Sequence, residues 1–255
     1  MSASLWRVAV TRDEGGEGVL SEALRRHGME PVPCPVVAEM PPLDPAPLAA
    51  AARTLEEYDW MIAASARAVA ALMALRAGRL LPRELRTAAV GPSTAQALAL
   101  SGAVTAVTAA TAGAAPLLEI LRPLDRWPER RVLLPRAAEG RPEILEALRG
   151  WGARVDDVVA YRTVPRPPAE IAAAWRDAAP DAAVVASPVA ARALVQALGA
   201  AALRRLEPVV AIGSTTSMAL VALGVRAVVP PRAAFEAVAA LLAGMREARR
   251  VGSPS

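Results

Sequence analysis

The sequence predicts an α/β protein of two similar domains, each a parallel sheet flanked by helices. Three observations carry that reading. Short apolar runs alternate with amphipathic stretches of helical length, the pattern of βαβ units. The chain repeats itself: Arg12 and Arg136, Leu24 and Leu148, and Gly28 and Gly152 each sit 124 residues apart. Ser65 and Ser187, Gly91 and Gly213, Thr94 and Thr216, Leu98 and Leu220, and Gly102 and Gly224 sit 122 apart. A repeat this long is a duplicated half-molecule, not a solenoid unit. Finally, two proline-rich crossings, Pro31 to Pro47 and Val164 to Pro168, follow the second strand of each half and are candidate hinges. If the chain changes domain there, one domain holds 1–36 plus 166–255 and the other 37–165, with a cleft between them.

The elements follow in order. Val8–Thr11 reads as a strand and Gly18–His27 as a helix. Pro31–Val37 is a second strand broken by prolines, and Leu48–Leu55 is helical. Trp60–Ala64 is a strand running into a helix over Ala66–Leu75. Thr87–Val90 is a strand and Ser93–Leu100 a helix; Val104–Val107 and Gly113–Leu121 repeat that pair. In the second half, strands are expected at Val132–Leu134, Arg154–Tyr161, Ala182–Ala186, Pro208–Ile212 and Ala227–Val229. Helices are expected at Arg141–Trp151, Ala169–Ala178, Val189–Leu198, Thr216–Leu223 and Ala234–Glu247, and Arg249 to Ser255 reads as a frayed basic tail. Gly15-Gly16-Glu17-Gly18 matches no dinucleotide fingerprint and reads as a flexible turn.

Composition removes several functions. At 255 residues and 54% hydrophobic the chain can bury a core. All 29 basic residues are arginine. Without lysine there is no Schiff base, no pyridoxal chemistry and no standard phosphate-binding P-loop. One cysteine, Cys34, and one histidine, His27, allow neither an internal disulfide nor a His/Cys metal cluster. That fits a reducing cytosol, and a cytoplasmic location is expected. The N-terminal residues lack a basic region followed by an apolar run, so no signal peptide is expected. The uncharged stretch Thr87 to Leu118 is broken by Gly91-Pro92, Ser101-Gly102 and Gly113, so it reads as separate elements and not as a membrane span. The net charge of +4 comes from dispersed arginines. Eight aromatic residues are too few for a nucleic-acid stacking platform, so an anionic small molecule is the expected partner. Nothing in the chain demands more than a monomer.

Each half presents three polar loops at the carboxyl ends of its strands, immediately before helices. They are Thr11-Arg12 and Pro135-Arg136; Ser65-Ala66-Arg67 and Ser187-Pro188; and Gly91-Pro92-Ser93-Thr94 and Gly213-Ser214-Thr215-Thr216. That edge is where ligands bind in open α/β sheets, and free amides at helix starts attract anions. Each residue alone could be an ordinary N-cap or tight-turn glycine; six paired loops point to a carboxylate-binding site. Ser65 and Ser187 lack a base and are not nucleophiles, while His27 reads as a helix-end residue. Tyr161, beside Arg162 at a strand end, either donates a hydrogen bond to a leaving hydroxyl or braces the hinge.

The ordered segments resemble the uroporphyrinogen-III synthase family over nearly the whole chain. They are Val10-Thr11-Arg12 with Gly28, Asp59–Val69, Ala89-Val90-Gly91-Pro92-Ser93-Thr94-Ala95, and Val132–Arg136 with Glu139-Gly140-Arg141. Val159–Thr163, Ala186-Ser187-Pro188 and Ala211–Thr216 complete the set. The resemblance implies two α/β domains joined by a two-stranded connector, and a cofactor-independent lyase. The enzyme would cyclise hydroxymethylbilane, a linear tetrapyrrole, to uroporphyrinogen III with inversion of the last pyrrole and loss of water. It also implies receipt of substrate from the enzyme that makes hydroxymethylbilane. By the same resemblance Tyr161 assists departure of the hydroxyl. Thr11, Arg12, Ser65, Ala66, Gly91, Ser93, Thr94, Arg136, Gly140, Ser187, Pro188, Gly213, Thr215 and Thr216 contact substrate. Two departures stand out: Ala64 and Ala186 replace family threonines before Ser65 and Ser187. A non-catalytic tetrapyrrole binder or a two-domain sugar binder on the same scaffold are the alternative readings.

Overall fold

The structure is a computed structural model that describes residues 5–14, 18–104, 106–109 and 113–252. Gly15, Gly16 and Glu17 of the glycine-rich turn, and Ser253–Ser255 of the tail, lie outside the described residues. The chain forms two compact units: Met1–Ala38 with Val164–Ser255, and Glu39–Thr163.

Unit 1 begins with β1 (Trp6–Val10), α1 (Val19–Arg26) and β2 (Met29–Pro33). After β3 (Val37–Met40), unit 2 contains α2 (Ala46–Arg53), β4 (Trp60–Ala63), α3 (Ala66–Ala74), β5 (Arg86–Ala89), α4 (Pro92–Leu100) and β6 (Ala106–Thr108). It continues through α5 (Ala114–Leu121), β7 (Arg131–Ala137), α6 (Glu143–Gly150) and β8 (Arg154–Pro165). Unit 1 resumes with α7 (Pro168–Ala178), β9 (Ala182–Val185), α8 (Pro188–Leu198), α9 (Ala200–Arg205), β10 (Val209–Ala211), α10 (Ser214–Ala222) and α11 (Phe235–Gly252).

The unit 1 sheet runs β10-β9-β1-β2 and is parallel throughout. The second sheet runs β3-β8-β7-β4-β5-β6, with parallel pairs from β8 to β6. β3 and β8 are neighbours, and each holds one of the two points where the chain passes from one unit to the other. This is the two-stranded connector.

Strand sequences explain the layering. In β4, Met61 and Ala63 enter one core while Trp60 and Ile62 enter another. In β7, Leu133 joins the first and Val132 and Leu134 the second. In unit 1, Val8 and Val10 pack with Leu20, Leu24 and Leu242 on one side of the sheet, and Ala9 with Cys34 on the other. Side chains alternate with period two, and both faces are apolar because helices cover both. Complete burial of Leu20 and Leu24 stabilises by about 1.5–3 kcal/mol each.

The two halves share backbone detail as well as sequence. Ser65 and Ser187 cap α3 and α8 with φ, ψ of −155°, 151° and −155°, 159°. Gly91 and Gly213 precede α4 and α10 at −164°, 172° and −164°, 175°. Gly28 and Gly152 both end helices at positive φ, 69° and 89°, where a side chain would be strained.

Several expectations need correction. Pro31–Val37 is not one strand: β2 ends at Pro33, the amides of Cys34 and Val36 still bond to the carbonyls of Val10 and Thr11, and β3 starts at Val37 in the other sheet. The strand expected at Val104–Val107 lies at Ala106–Thr108, and Val104 is exposed. Ala227–Val229 forms only a bridge at Val228, held by two backbone bonds to β10, before Pro230 and Pro231 end the pairing. Helix α9, set off by Gly199 at φ 77°, was not expected. The tail is not frayed at Arg249, because α11 continues to Gly252. His27, by contrast, sits at the helix end as expected, as the C-cap of α1, with a ring nitrogen 2.9 Å from Glu236.

Unit 2 has a polar seam around its buried aromatics. The rings of Trp60, Trp127 and Trp151 follow one another at 5.4 and 5.3 Å. Trp60 donates to Asp125 at 2.8 Å. Burial works to raise the Asp125 carboxyl, but Trp60, the Arg126 amide, Arg86 and Arg130 together hold it below the usual range. Tyr58 donates to Asp156 at 2.6 Å. Burial first, then that bond, pushes the Tyr58 phenol up to about 12. A raised folded value means that its stabilising contribution is complete below the unfolded value near 10 and disappears as pH rises towards 12. In Tyr161→Phe, where Tyr58 is the sole tyrosine, ultraviolet titration of the native protein should show phenolate forming at about 12. Ionisation at about 10 would mean that Tyr58 is solvated as in a free chain.

Candidate active site

In unit 2 the carboxyl ends of β4, β5 and β7 open into the starts of α3, α4 and α6. Ser65 stands between β4 and α3 in extended conformation, and its Oγ accepts the Ala68 amide at 3.2 Å. The same oxygen is 3.2 Å from the Tyr161 hydroxyl. Tyr161 reaches it because β8 bulges: Arg136 pairs with Val159 but Ala137 pairs with Tyr161. Regular alternation would send Ala160 and Tyr161 to opposite faces; here both pack on the same core. A bulge re-aims a side chain in this way.

Tyr161 stands between two depressions. One, of about 220 Å³, is lined by Ser65, Arg136, Gly140, Arg141, Ile144 and Tyr161 among others. The other, of about 330 Å³, is walled by Met40, Pro42, Pro45, Leu48 and Leu75, with the Arg67–Glu39 ion pair beside them. The phenol therefore has a pocket that carries Ser65 and two arginines on one side and an apolar groove on the other.

Arg136 is not a bare cation in this pocket. Its Nε and Nη2 donate to the two oxygens of Asp157 at 2.6 and 2.7 Å, and Nη1 donates to the carbonyls of Ala137 and Gly140 at 3.2 and 3.0 Å. The Asp157 hydrogen bond raises the guanidinium pKa. The sequence reading gave Arg136 to substrate; its first duty is to shape the loop before α6. Gly140 is tied to that duty. A Cβ there would meet the Ala137 oxygen at 3.0 Å and Arg136 Nη1 at 3.1 Å. Glu139 accepts the Thr163 amide and fixes the same loop to β8.

The helix starts of unit 1 repeat the pattern. Ser187 accepts the Ala190 amide at 3.1 Å, with Pro188 at the first helical position. Gly213 opens α10, and Thr215 is exposed there, as Ser93 is on α4. The glycines do not serve the turn that the sequence suggested, because φ of −164° is extended backbone open to any residue. A Cβ on Gly213 would touch only the Ala233 Cβ, at 3.7 Å. What glycine leaves is an uncovered helix start.

Four threonine and arginine positions stand differently from the expectation. Thr11 is fully buried and donates to the Val184 carbonyl at 2.7 Å, so its hydroxyl serves the sheet. Thr94 and Thr216 are 4% and 3% exposed and face the interior of their units. Arg12 is paired with Glu14 at 3.1 Å and lies over the Phe235 ring. Sequence reasoning assigned Ser65, Arg136, Gly140 and Tyr161, and the fold gathers these four at one pocket. Ala66 follows Ser65 as the first residue of α3, and Gly91 opens α4 from the next strand. The reading missed Arg141, Ile144 and the proline groove. For Arg141 the signal was its place just before α6, equivalent to the other helix starts.

Two α/β units from one duplicated half, with polar helix starts at the strand ends, define an α/β protein of the doubly wound class, in which ligands bind at that edge. The chain belongs to the uroporphyrinogen-III synthase family: the family described as uroporphyrinogen-III synthase HemD matches residues 18–240. It is 30% identical over 164 residues to a uroporphyrinogen-III synthase of Synechococcus elongatus, an alignment covering 61% of this chain and 60% of that relative. Among solved structures it is similar to a mutant uroporphyrinogen III synthase from Thermus thermophilus, with TM-score 0.61, 21% identity, and 96% and 99% of the two chains covered. It is likewise similar to the synthetase from Helicobacter pylori 26695, with TM-score 0.60, 17% identity, and 95% and 100% covered. At such identities these structures speak for the fold.

The two glycines should respond differently to alanine. Gly140→Ala forces Arg136 aside and should lower stability by about 1–3 kcal/mol in denaturant unfolding. Gly213→Ala should leave stability within about 0.5 kcal/mol. Equal losses would mean that Gly213 also serves packing.

Proposed function

We propose that the protein is a uroporphyrinogen-III synthase, acting on hydroxymethylbilane as a cofactor-independent lyase. The observation that carries the proposal is the Tyr161 hydroxyl, 3.2 Å from Ser65 Oγ at the pocket lined by Arg136 and Arg141, in a chain of this family. Ser65 Oγ already accepts an amide. Its own O–H is then best directed at the phenol oxygen, which leaves the phenol proton free for substrate.

The reaction follows from that arrangement. Tyr161 gives its proton to the departing hydroxyl, the carbon–oxygen bond breaks and water leaves. The electron pair comes from the attached pyrrole nitrogen, forming an azafulvene. The last pyrrole attacks the azafulvene carbon through the α-carbon that already carries its bridge, giving a spiro centre. That bridge bond breaks to leave a second azafulvene on the third pyrrole. The free α-carbon of the turned ring attacks it, and the proton that this carbon loses returns to the Tyr161 phenolate. The net change is loss of water. Folding the chain so that the correct carbon attacks is a matter of position, and effective molarity of the attacking carbon supplies much of the rate. The carboxylate arms of the substrate suit the start of α3 at Ser65 and Ala66 and that of α4 at Gly91 and Ser93. The equivalent starts in unit 1, Ser187-Pro188 and Gly213 with Thr215, suit them equally. Thr94 and Thr216 contribute through the placement of those helix starts. Among the described residues no helix is long and apolar enough to cross a membrane. We place the enzyme in the cytoplasm as a monomer receiving substrate from the enzyme that makes it.

Two measurements test the reading. Incubation with fresh hydroxymethylbilane, oxidation and isomer separation should give the type III porphyrin; only type I, as in the blank, would overturn the synthase. Tyr161→Phe should lower turnover on the order of 10²-fold while product binding stays within about twofold. An unchanged rate would return Tyr161 to a bracing role.

A further inference from the structure

Unit 1 carries a larger cavity, of about 600 Å³, at the edge of its sheet opposite the helix starts. That volume lies within the range of small-molecule sites. Val221, Val228 and Met245 give it apolar walls. Arg204, Arg226 and Arg249 line it against a single acid, Glu207. Arg249 is 3.7 Å from that acid. Arg204 donates to the Gly224 carbonyl at 3.2 Å, and Arg226 is exposed. Among the described residues neither Arg204 nor Arg226 is paired with a carboxylate.

The duplication supplies an internal comparison. The 122-residue offset puts Pro82 and Val104 opposite Arg204 and Arg226, and Arg86 opposite Pro208. In unit 2, Arg86 is paired with Asp125 at 2.8 Å and rests 5.4 Å from the Trp60 ring. That edge carries tryptophan and paired charges, whereas the corresponding edge of unit 1 is hollow and sets three arginines against one acid. The shared fold does not require the two arginines, because the sister unit makes the same connections without them.

We propose that this cavity binds a small amphiphilic anion, with a ring-sized apolar body and a carboxylate or sulfonate group held by Arg204 and Arg226. The apolar walls take the body out of water, and the guanidinium groups give charge-assisted hydrogen bonds to the acid group. The site is independent of Tyr161, which belongs to unit 2. It also lies a strand's length, about 10 Å, from the helix start at Gly213.

The probe is 8-anilinonaphthalene-1-sulfonate, an aromatic body with one anionic group, titrated by fluorescence into the whole chain at low salt. We expect saturable one-site binding, weakened about tenfold by Arg226→Glu and by Arg204→Glu, and weakened by added salt. Tyr161→Phe should leave it unchanged. Thermal melts establish that each variant is folded before its affinity is compared. The proposal is overturned if binding does not saturate, if both folded charge reversals leave affinity unchanged, or if Tyr161→Phe removes the signal. Failure here leaves the isomer assay untouched, so the two readings stand or fall separately.

Discussion

A parallel strand buried on both faces can continue only through a helix laid back across one of those faces. Every strand-to-helix turn therefore falls on the same edge of the sheet. The rest of the molecule depends on that constraint. It collects Ser65, Gly91 and the 137–142 loop at one edge of unit 2, and Ser187 and Gly213 at one edge of unit 1. It also makes those positions electropositive, because each helix begins with amides that no carbonyl of its own helix can accept. A chain with one histidine and no lysine still obtains anion-seeking surfaces, from its backbone.

Duplication built this edge twice, and the copies then diverged in what they added. Unit 2 filled its opposite edge with Trp60, Trp127 and the Asp125 network, and placed Tyr161 beside Ser65. Unit 1 kept the caps and the glycines but has no tyrosine; its corresponding edge is hollow and carries arginine. Arg12 and Arg136 show the same drift. Both occupy equivalent repeat positions at the carboxyl end of the first strand of their half, yet one leans on Phe235 and Glu14 while the other grips Asp157.

The order of elements was legible because the period of apolar residues switches cleanly between two and about 3.6. The segment Ala200–Arg205 was not, since an alanine-rich stretch offers no contrast between faces. The inward turn of Thr94 and Thr216 was legible in principle. Each precedes a fully buried leucine by four residues, Leu98 and Leu220, which puts both on one helix face. The pairing of Arg136 with Asp157 was not, because it depends on how β7 and β8 are registered, and pairing across strands leaves no trace in either strand alone. The same holds for the site as a whole: its residue types were visible, while their company at one pocket came from the fold.

The bulge in β8 has a consequence for how this site can change over time. The aim of the phenol is set by a count of residues, not by the identity of its neighbours. Strict two-residue alternation through the same residues, without the bulge, would rotate the ring to the opposite face of the sheet. No point substitution achieves that. The side chains of β8 are constrained as well, since Asp156 holds Tyr58 and Asp157 holds Arg136, so the strand must keep both its count of residues and its two acids for the site to form.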